Sequence, residues 1–335
     1  MNMNIMKHVV PACVLGVMLL SCADGGTDGM GHRFPLSLSA TVGGYGCCAP
    51  ASRGELVNTS TSDIPLPTSL STIYVSAWSG TEPYVPAYTS ASYDATGGRW
   101  KINTENELFW YEDETKVFYA HANFPVLADP ANVASETNPG AFVQNLTPAS
   151  QTLMYYAQPS VPLQKDILLG TYSGDGGGKG QADIRFYHPL TAVRFIKGSM
   201  EHIGKITGIT LSGLYKYGQT TQTPTSAASF TWTGCQGDIS SSQTNASGLE
   251  LTATGLIGSP FLLIPQTLSA KNVKVTVNVV LDDASERVFD ATITTGSWES
   301  GKISEYALSV DDMTMRISPI TLEDWQSGSD NTMSW

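Results

Sequence analysis

The chain has 335 residues, enough for two packed domains, and 30 acidic against 18 basic residues give it a net charge of −12. That sign argues against a nucleic-acid partner, whose phosphates call for a basic face. Only 14% of the residues are charged while 41% are hydrophobic, with 32 Gly and 18 Pro, which suits a turn-rich exported β-protein and excludes a disordered acidic chain.

The N-terminus carries Lys7 and His8 ahead of an apolar run over residues 9–20, too short for a permanent membrane span and fitting the core of a signal peptide. Leu19-Leu20-Ser21-Cys22 resembles the bacterial lipobox, which implies lipid on the Cys22 thiol and cleavage just before it. An ordinary secretory signal followed by a coincidental Cys is the alternative. On the lipobox reading residues 1–21 are the signal peptide, and residues 23–31 are a polar, Gly-rich tether. The membrane is then met only through the lipid, because no later segment is apolar for long enough to cross a bilayer.

Phe34, Leu36, Leu38, Ala40 and Val42 alternate with Pro35, Ser37, Ser39 and Thr41, a strand with one apolar face that stops at Gly43-Gly44. Further strands are expected at 72–78, 99–102, 116–122 and 151–156, with a short helical turn at 129–135 capped by Asp129 and led by Pro130. Residues 173–180, Ser-Gly-Asp-Gly-Gly-Gly-Lys-Gly, read as a plain flexible loop close to a domain boundary. Strands resume at 182–187, 191–197, 203–211 and 258–264. Val273, Val275, Val277, Val279 and Leu281 then alternate with Lys274, Thr276 and Asn278, a turn at 282–284 leads into 287–294, and a turn at 298–302 precedes 304–310. Met313, Met315 and Ile317 share one face, Pro319 interrupts, and Ile320 and Leu322 resume in the opposite phase, so this segment is placed at a sheet edge or bulge. Many short, evenly spaced strands with almost no helix predict an all-β chain of paired sandwiches, one over 54–178 and one over 179–335.

Residues for chemistry are sparse. Cys13 leaves with the signal, Cys47 and Cys48 are adjacent, and Cys235 is either free or bridged to one of that pair; no CxxC spacing occurs. The loop around Lys179 fails the phosphate-loop pattern, having Ser173 where Gly is needed and Gly180 where Ser or Thr is needed. His121, His188 and His202 form no HxH or HExxH, and no Gly-x-Ser-x-Gly elbow is present. Glu105, Glu107, Glu112, Asp113 and Glu114 read as a solvated acidic loop rather than a carboxylate pair held on rigid strands. No catalytic residue, metal ligand or cofactor is therefore assigned, and the chain is not expected to be an enzyme. Trp78, Trp100, Phe109, Trp110, Tyr111, Phe118 and Tyr119 fit core and cross-strand positions better than a sugar-binding platform.

Several phrases in order resemble the fimbrillin-like pilins of Bacteroidales, lipoprotein precursors of type V pili. They are the lipobox with the early strand, Ser52-Arg53-Gly54, residues 116–125 (KVFYAHANFP), Asp166-Ile167-Leu168-Leu169-Gly170, and residues 184–195 (IRFYHPLTAVRF). Leu262-Leu263-Ile264-Pro265-Gln266 and Trp298 with Gly301, Lys302 and Tyr306 add to it. His121 departs from the usual aromatic and Pro189 from a small residue. The resemblance implies two tandem transthyretin-like, Greek-key β-sandwiches and assembly by strand exchange. An Arg-specific or trypsin-like protease would cut between Arg53 and Gly54, and residues 22–53 would leave with the strand bearing Phe34, Leu36, Leu38, Ala40 and Val42. The donor would be residues 313–322, with Met313, Met315, Ile317, Ile320 and Leu322. Implied partners are other pilin subunits of the same or another kind, the processing protease, and a ligand on a host or bacterial surface. The implied place is an outer-membrane-anchored precursor that becomes a stalk or tip subunit of a surface fimbrium. The competing reading is an uncut outer-membrane lipoprotein that binds glycans. Removing the early strand would open an apolar cleft edged by unpaired backbone groups, a template for strand addition.

Overall fold

The computed structural model describes residues 33–42, 64–65, 72–111, 114–122, 124, 140–225, 230–310 and 314–324. Cys22, Cys47, Cys48, Arg53, Gly54, Met313 and the expected turn at 129–135 lie outside the described residues. The all-β expectation holds: the described residues form 22 strands and one turn of α-helix, Leu268–Lys271.

The first half comprises β1 (Arg33–Pro35), β2 (Ser37–Val42), β3 (Ile64–Pro65), β4 (Thr72–Ser79), β5 (Glu82–Asp94), β6 (Arg99–Ile102), β7 (Phe109–Tyr111), β8 (Lys116–Ala122), β9 (Gly140–Gln144), β10 (Gln151–Tyr156), β11 (Leu168–Gly174) and β12 (Gln181–Tyr187). The second comprises β13 (Thr191–Met200), β14 (Ile203–Gln222), β15 (Trp232–Thr244), β16 (Phe261–Leu263), β17 (Gln266–Thr267), β18 (Val273–Leu281), β19 (Glu286–Ile293), β20 (Ser297–Trp298), β21 (Lys302–Val310) and β22 (Met315–Asp324).

One sheet runs β12-β11-β8-β4-β5-β6-β2-β3, and an additional pairing of β12 with β2 closes it on itself. Its interior is filled by Leu38, Val42, Ile73, Val75, Trp100, Trp110, Phe118, Ile184 and Phe186, among others. Closure removes two free edges and lets every inward side chain of a curled sheet meet others across it. A six-stranded sheet of β19-β18-β14-β10-β9, with β15 also on β14, faces a four-stranded sheet of β16-β13-β21-β22. Val273, Val275, Val277, Ile209 and Leu211 from the first meet Val193, Phe195, Phe261, Tyr306 and Leu308 from the second, which makes this half a sandwich core.

Three differences from the sequence reading have physical causes. The expected strand at 203–211 runs on to Gln222, because Gly213 at φ +75° allows a bulge that bends β14 from β18 toward β10. The glycine-rich segment is no domain border: it links antiparallel neighbours β11 and β12 within one sheet. Gly176, Gly177, Gly178 and Gly180 all take positive φ, a left-handed path open to glycine that reverses the chain in six residues. Finally, sheet pairing crosses residue 178 in both directions, since β9 and β10 join β14, whereas β12 joins β11 and β2.

Candidate functional site

The apolar alternation at residues 34–42 divides in two at Leu36. β1 pairs antiparallel with β7, Phe34 lying opposite Trp110, while β2 pairs parallel with β12 in the register Ser37 to Gln181 through Val42 to Phe186. The backbone changes partners between them: Leu36 N–H donates to Leu108 O at 2.8 Å and Ser37 N–H to Gly180 O at 2.9 Å. The other side of β2 meets β6 at Leu38–Trp100 and β3 at Thr41–Pro65 and Val42–Ile64. β2 is thus the stave that closes the ring.

Inward, Leu38, Ala40 and Val42 are buried and Leu36 packs at the rim of the same cluster. Outward, Ser39 Oγ donates to Asp183 Oδ1 at 2.5 Å, and Gln181 Nε2 donates to the same oxygen at 2.6 Å. The glycine-rich connection seats the start of the strand. A Cβ on Gly180 would lie 2.8 Å from Phe34 Cβ and 2.9 Å from Pro35 O, and one on Gly176 would lie 3.1 Å from the Trp110 ring. The segment read as a plain loop is therefore a packed support. The sequence signal for it was the clustering of Gly itself, which reads equally as slack.

Beneath β1, Lys116 is almost fully buried and ties off the end of the ring. Its Nζ lies 2.6 Å from Glu114 and 3.9 Å from the Tyr84 ring centroid. Burial opposes ionisation of Glu114, but hydrogen bonds from Lys116 and Ser79 outweigh it and hold the carboxyl below its usual range. Glu114 is thus an ion-pair partner rather than part of a solvated acidic run.

At the other candidate segment, β22 lies along β21 at the edge of the four-stranded sheet. The register shifts between Thr321 and Pro319, so Ile320 is the extra residue of a bulge, which explains the phase switch seen in the sequence. Met315 and Ile317 pack against the sandwich core, and Ile320 is 45% exposed. The structure keeps the two candidate segments on different sheets, one as a ring stave and the other as a sandwich edge.

The remaining chemical candidates resolve as structure. His188 is buried with Nδ1 at 2.9 Å from Asp166 Oδ1. His121 stacks on Tyr74 and Phe124 at centroid distances of 5.1 and 4.5 Å, so it packs as an aromatic residue would. Burial pushes its imidazole down to about 3. Trp78, Trp100, Trp110, Phe118 and Tyr119 are buried, which favours their core role. The Cys235 thiol is free and half-buried, and burial raises its pKa; Cys47 and Cys48, its alternative bridge partners, lie outside the described residues. Among the described residues no three His, Cys, Asp or Glu side chains gather as metal ligands.

The model of a family described as fimbrillin-like matches residues 68–325, most of the chain. The chain belongs to the fimbrillin-like family. The match starts just beyond β2 and β3 and ends one residue after β22. Among solved structures, a candidate cell adhesion protein from Bacteroides ovatus superposes with a TM-score of 0.55 at 13% identity, covering 89% of this chain and 99% of its own. A second, from Bacteroides uniformis, has a TM-score of 0.52 at 13% identity and covers 87% and 98%. At such identity these two speak for the fold. A comparison with curated protein sequences returns no match. This fimbrillin-like chain shares their architecture over nearly its whole described length.

Proposed function

We propose that this chain is a structural subunit, stalk or tip, of a surface fimbrium that supports adhesion, exported as a lipoprotein precursor through Cys22 and assembled by protease-triggered strand exchange. Family membership supports the fimbrial role. The observation that carries the exchange step is the position of β2: it completes a closed sheet, with β12 on one side and β6 and β3 on the other. Cutting after Arg53 severs β2 from every later strand. Its departure would then leave an apolar slot lined by Ala182, Ile184, Phe186 and Trp100, between strands with unpaired backbone groups.

Such a slot is costly to leave empty. Burying each of Leu38 and Val42 is worth about 1.5–3 kcal/mol, and each ladder hydrogen bond about 1 kcal/mol. A strand from a second subunit recovers both contributions, and β22, already at a sheet edge, is the donor. Arg33 is a poorer cleavage site for this purpose, since it is the first residue of β1, ahead of β2, and cutting there leaves the slot filled. The mature subunit would lose the lipid, Cys47 and Cys48 with the leader.

Treating purified precursor with an Arg-specific protease tests the reading. The expected product begins at Gly54, lacks residues 1–53 and migrates as oligomers on size exclusion. A product that keeps residues 34–42 bound and stays monomeric would contradict it.

A further inference from the structure

We infer that the slot vacated by β2 receives β22 of a second copy running in the direction of β2, with Met315 at the place of Leu36, Ile317 at Leu38, Pro319 at Ala40 and Ser318 opposite Asp183. The inference deepens the strand-exchange reading and rests on it.

The slot states its requirements through the strand that fills it. Its inward row, Leu36, Leu38, Ala40 and Val42, is apolar, and the last three sites are buried to 1%, 4% and 0% exposure. An uncompensated charge placed there is strongly unfavourable. Sliding the segment Asp311 to Gln326 along the slot in the direction of β2 leaves two alignments without a charge in that row. Starting the row at Asp311, Arg316, Ile317, Ser318, Pro319 or Ile320 puts an acid or a base inside, and starting at Asp312 or Thr314 puts Arg316 inside. The survivors start at Met313 or at Met315.

Volume separates these two. Ala40 is the smallest site in the row and faces Ile184 of β12. Starting at Met313 puts Ile317 there, and an added branched side chain in a packed site forces neighbours out of place. Starting at Met315 gives Met for Leu36, Ile for Leu38, Pro for Ala40 and Thr for Val42, so the more compact ring falls on the smallest site. Reversing the strand direction restores the clash, because either charge-free row then lays Met315 or Ile317 on Ala40. A reversed row with Pro319 on Ala40 brings Glu323 to the place of Leu36.

The outward row agrees. In the chosen register Ser318 stands where Ser39 stands and can give its hydroxyl to Asp183, replacing the 2.5 Å bond lost with the leader. Arg316 stands at Ser37, opposite Gln181 and diagonal to Asp183, within reach of that carboxylate across adjacent strands. Met313 extends the row toward Phe34, where Gly180 leaves room for a backbone to pass. Ile320 faces outward opposite Arg185, and Leu322 falls beyond Val42, so of the donor residues expected from sequence the first three enter the slot.

Interchain disulfides read the register. Adjacent strands place opposed Cα atoms about 4.8 Å apart, within the range a disulfide spans. Full-length chains with Cys235→Ser, one carrying Asp183→Cys and the other Ser318→Cys, are cut after Arg53, mixed, allowed to assemble and mildly oxidised. A shift from monomer to covalent dimer is expected for this pair and for Gln181→Cys with Arg316→Cys, which reports the same register at independent positions. Dimer from Arg316→Cys with Asp183→Cys in place of these would put the strand two residues further along and overturn the assignment. Assembly without any of these links overturns it as well. If the chain without the paired cysteines forms no oligomers after cleavage, the exchange reading itself fails, and the register with it.

Discussion

Gly178 and Gly180 share a φ of +66°, yet a Cβ on Gly178 would meet nothing within 4 Å while one on Gly180 would meet Phe34 and Pro35. This matched pair separates backbone strain from support of the leader strand. Gly178→Ala should lower stability by about 1–2 kcal/mol through its left-handed backbone alone. Gly180→Ala should cost more and should also speed proteolytic release of residues 1–53, measured as the leader's half-life against a fixed amount of protease. Equal effects of the two substitutions would remove Gly180 from the account. His121 carries a second residue-scale prediction. The folded chain keeps its ring neutral down to about pH 3, whereas the unfolded chain protonates it below about 6.5. Acid therefore favours the unfolded chain, and stability should fall by about 1.4 kcal/mol per pH unit between 6.5 and 3 from this group. His121→Phe keeps the ring stack and should flatten that part of the pH profile of urea midpoints. Neither role was legible beforehand. Glycines advertise freedom whether or not something packs on them, and a buried His in an aromatic stack has the same letters as one in a turn.

At the scale of elements, β22 is held at home by Met315 and Ile317 on the sandwich core and by its ladder to β21. A chain ending at Val310 should remain a folded monomer with a lower thermal midpoint, its stability reduced by about 1–2 kcal/mol for each of those two side chains. It should fail to oligomerise after cleavage at Arg53, as read by size exclusion. β6 and β18, whose two faces differ, fall where alternation placed them, and β8 and β10, buried on both faces, coincide with the strands expected at 116–122 and 151–156. β5 was not legible, because Pro83 and Pro86 speak against a strand although a bulged pairing with β4 accommodates them. The second half of β14 and all of β15 were missed because Gly, Ser, Thr and Gln dominate them, residues whose place there is set by neighbouring strands rather than by local preference. Pro319 was the most informative local signal, since it announced both the edge and the bulge.

For the whole molecule, the decisive feature is a contact between residues far apart in sequence. Ser37–Val42 lies parallel to Gln181–Phe186, and no local pattern near either segment announces a pairing across so much chain. The apolar face of the early strand was readable; its position as the stave that closes a ring was not. The same holds for the sheets that cross residue 178, where composition suggested a border and pairing supplies continuity. Closure gives the account its logic, because a ring can lose one stave and offer a like-shaped vacancy to another chain. N-terminal sequencing of fimbriae sheared from cells making this protein tests that claim most directly. The account predicts subunits that begin at Gly54 and lack residues 34–42, and subunits that retain the Phe34 to Val42 strand within the filament would contradict it.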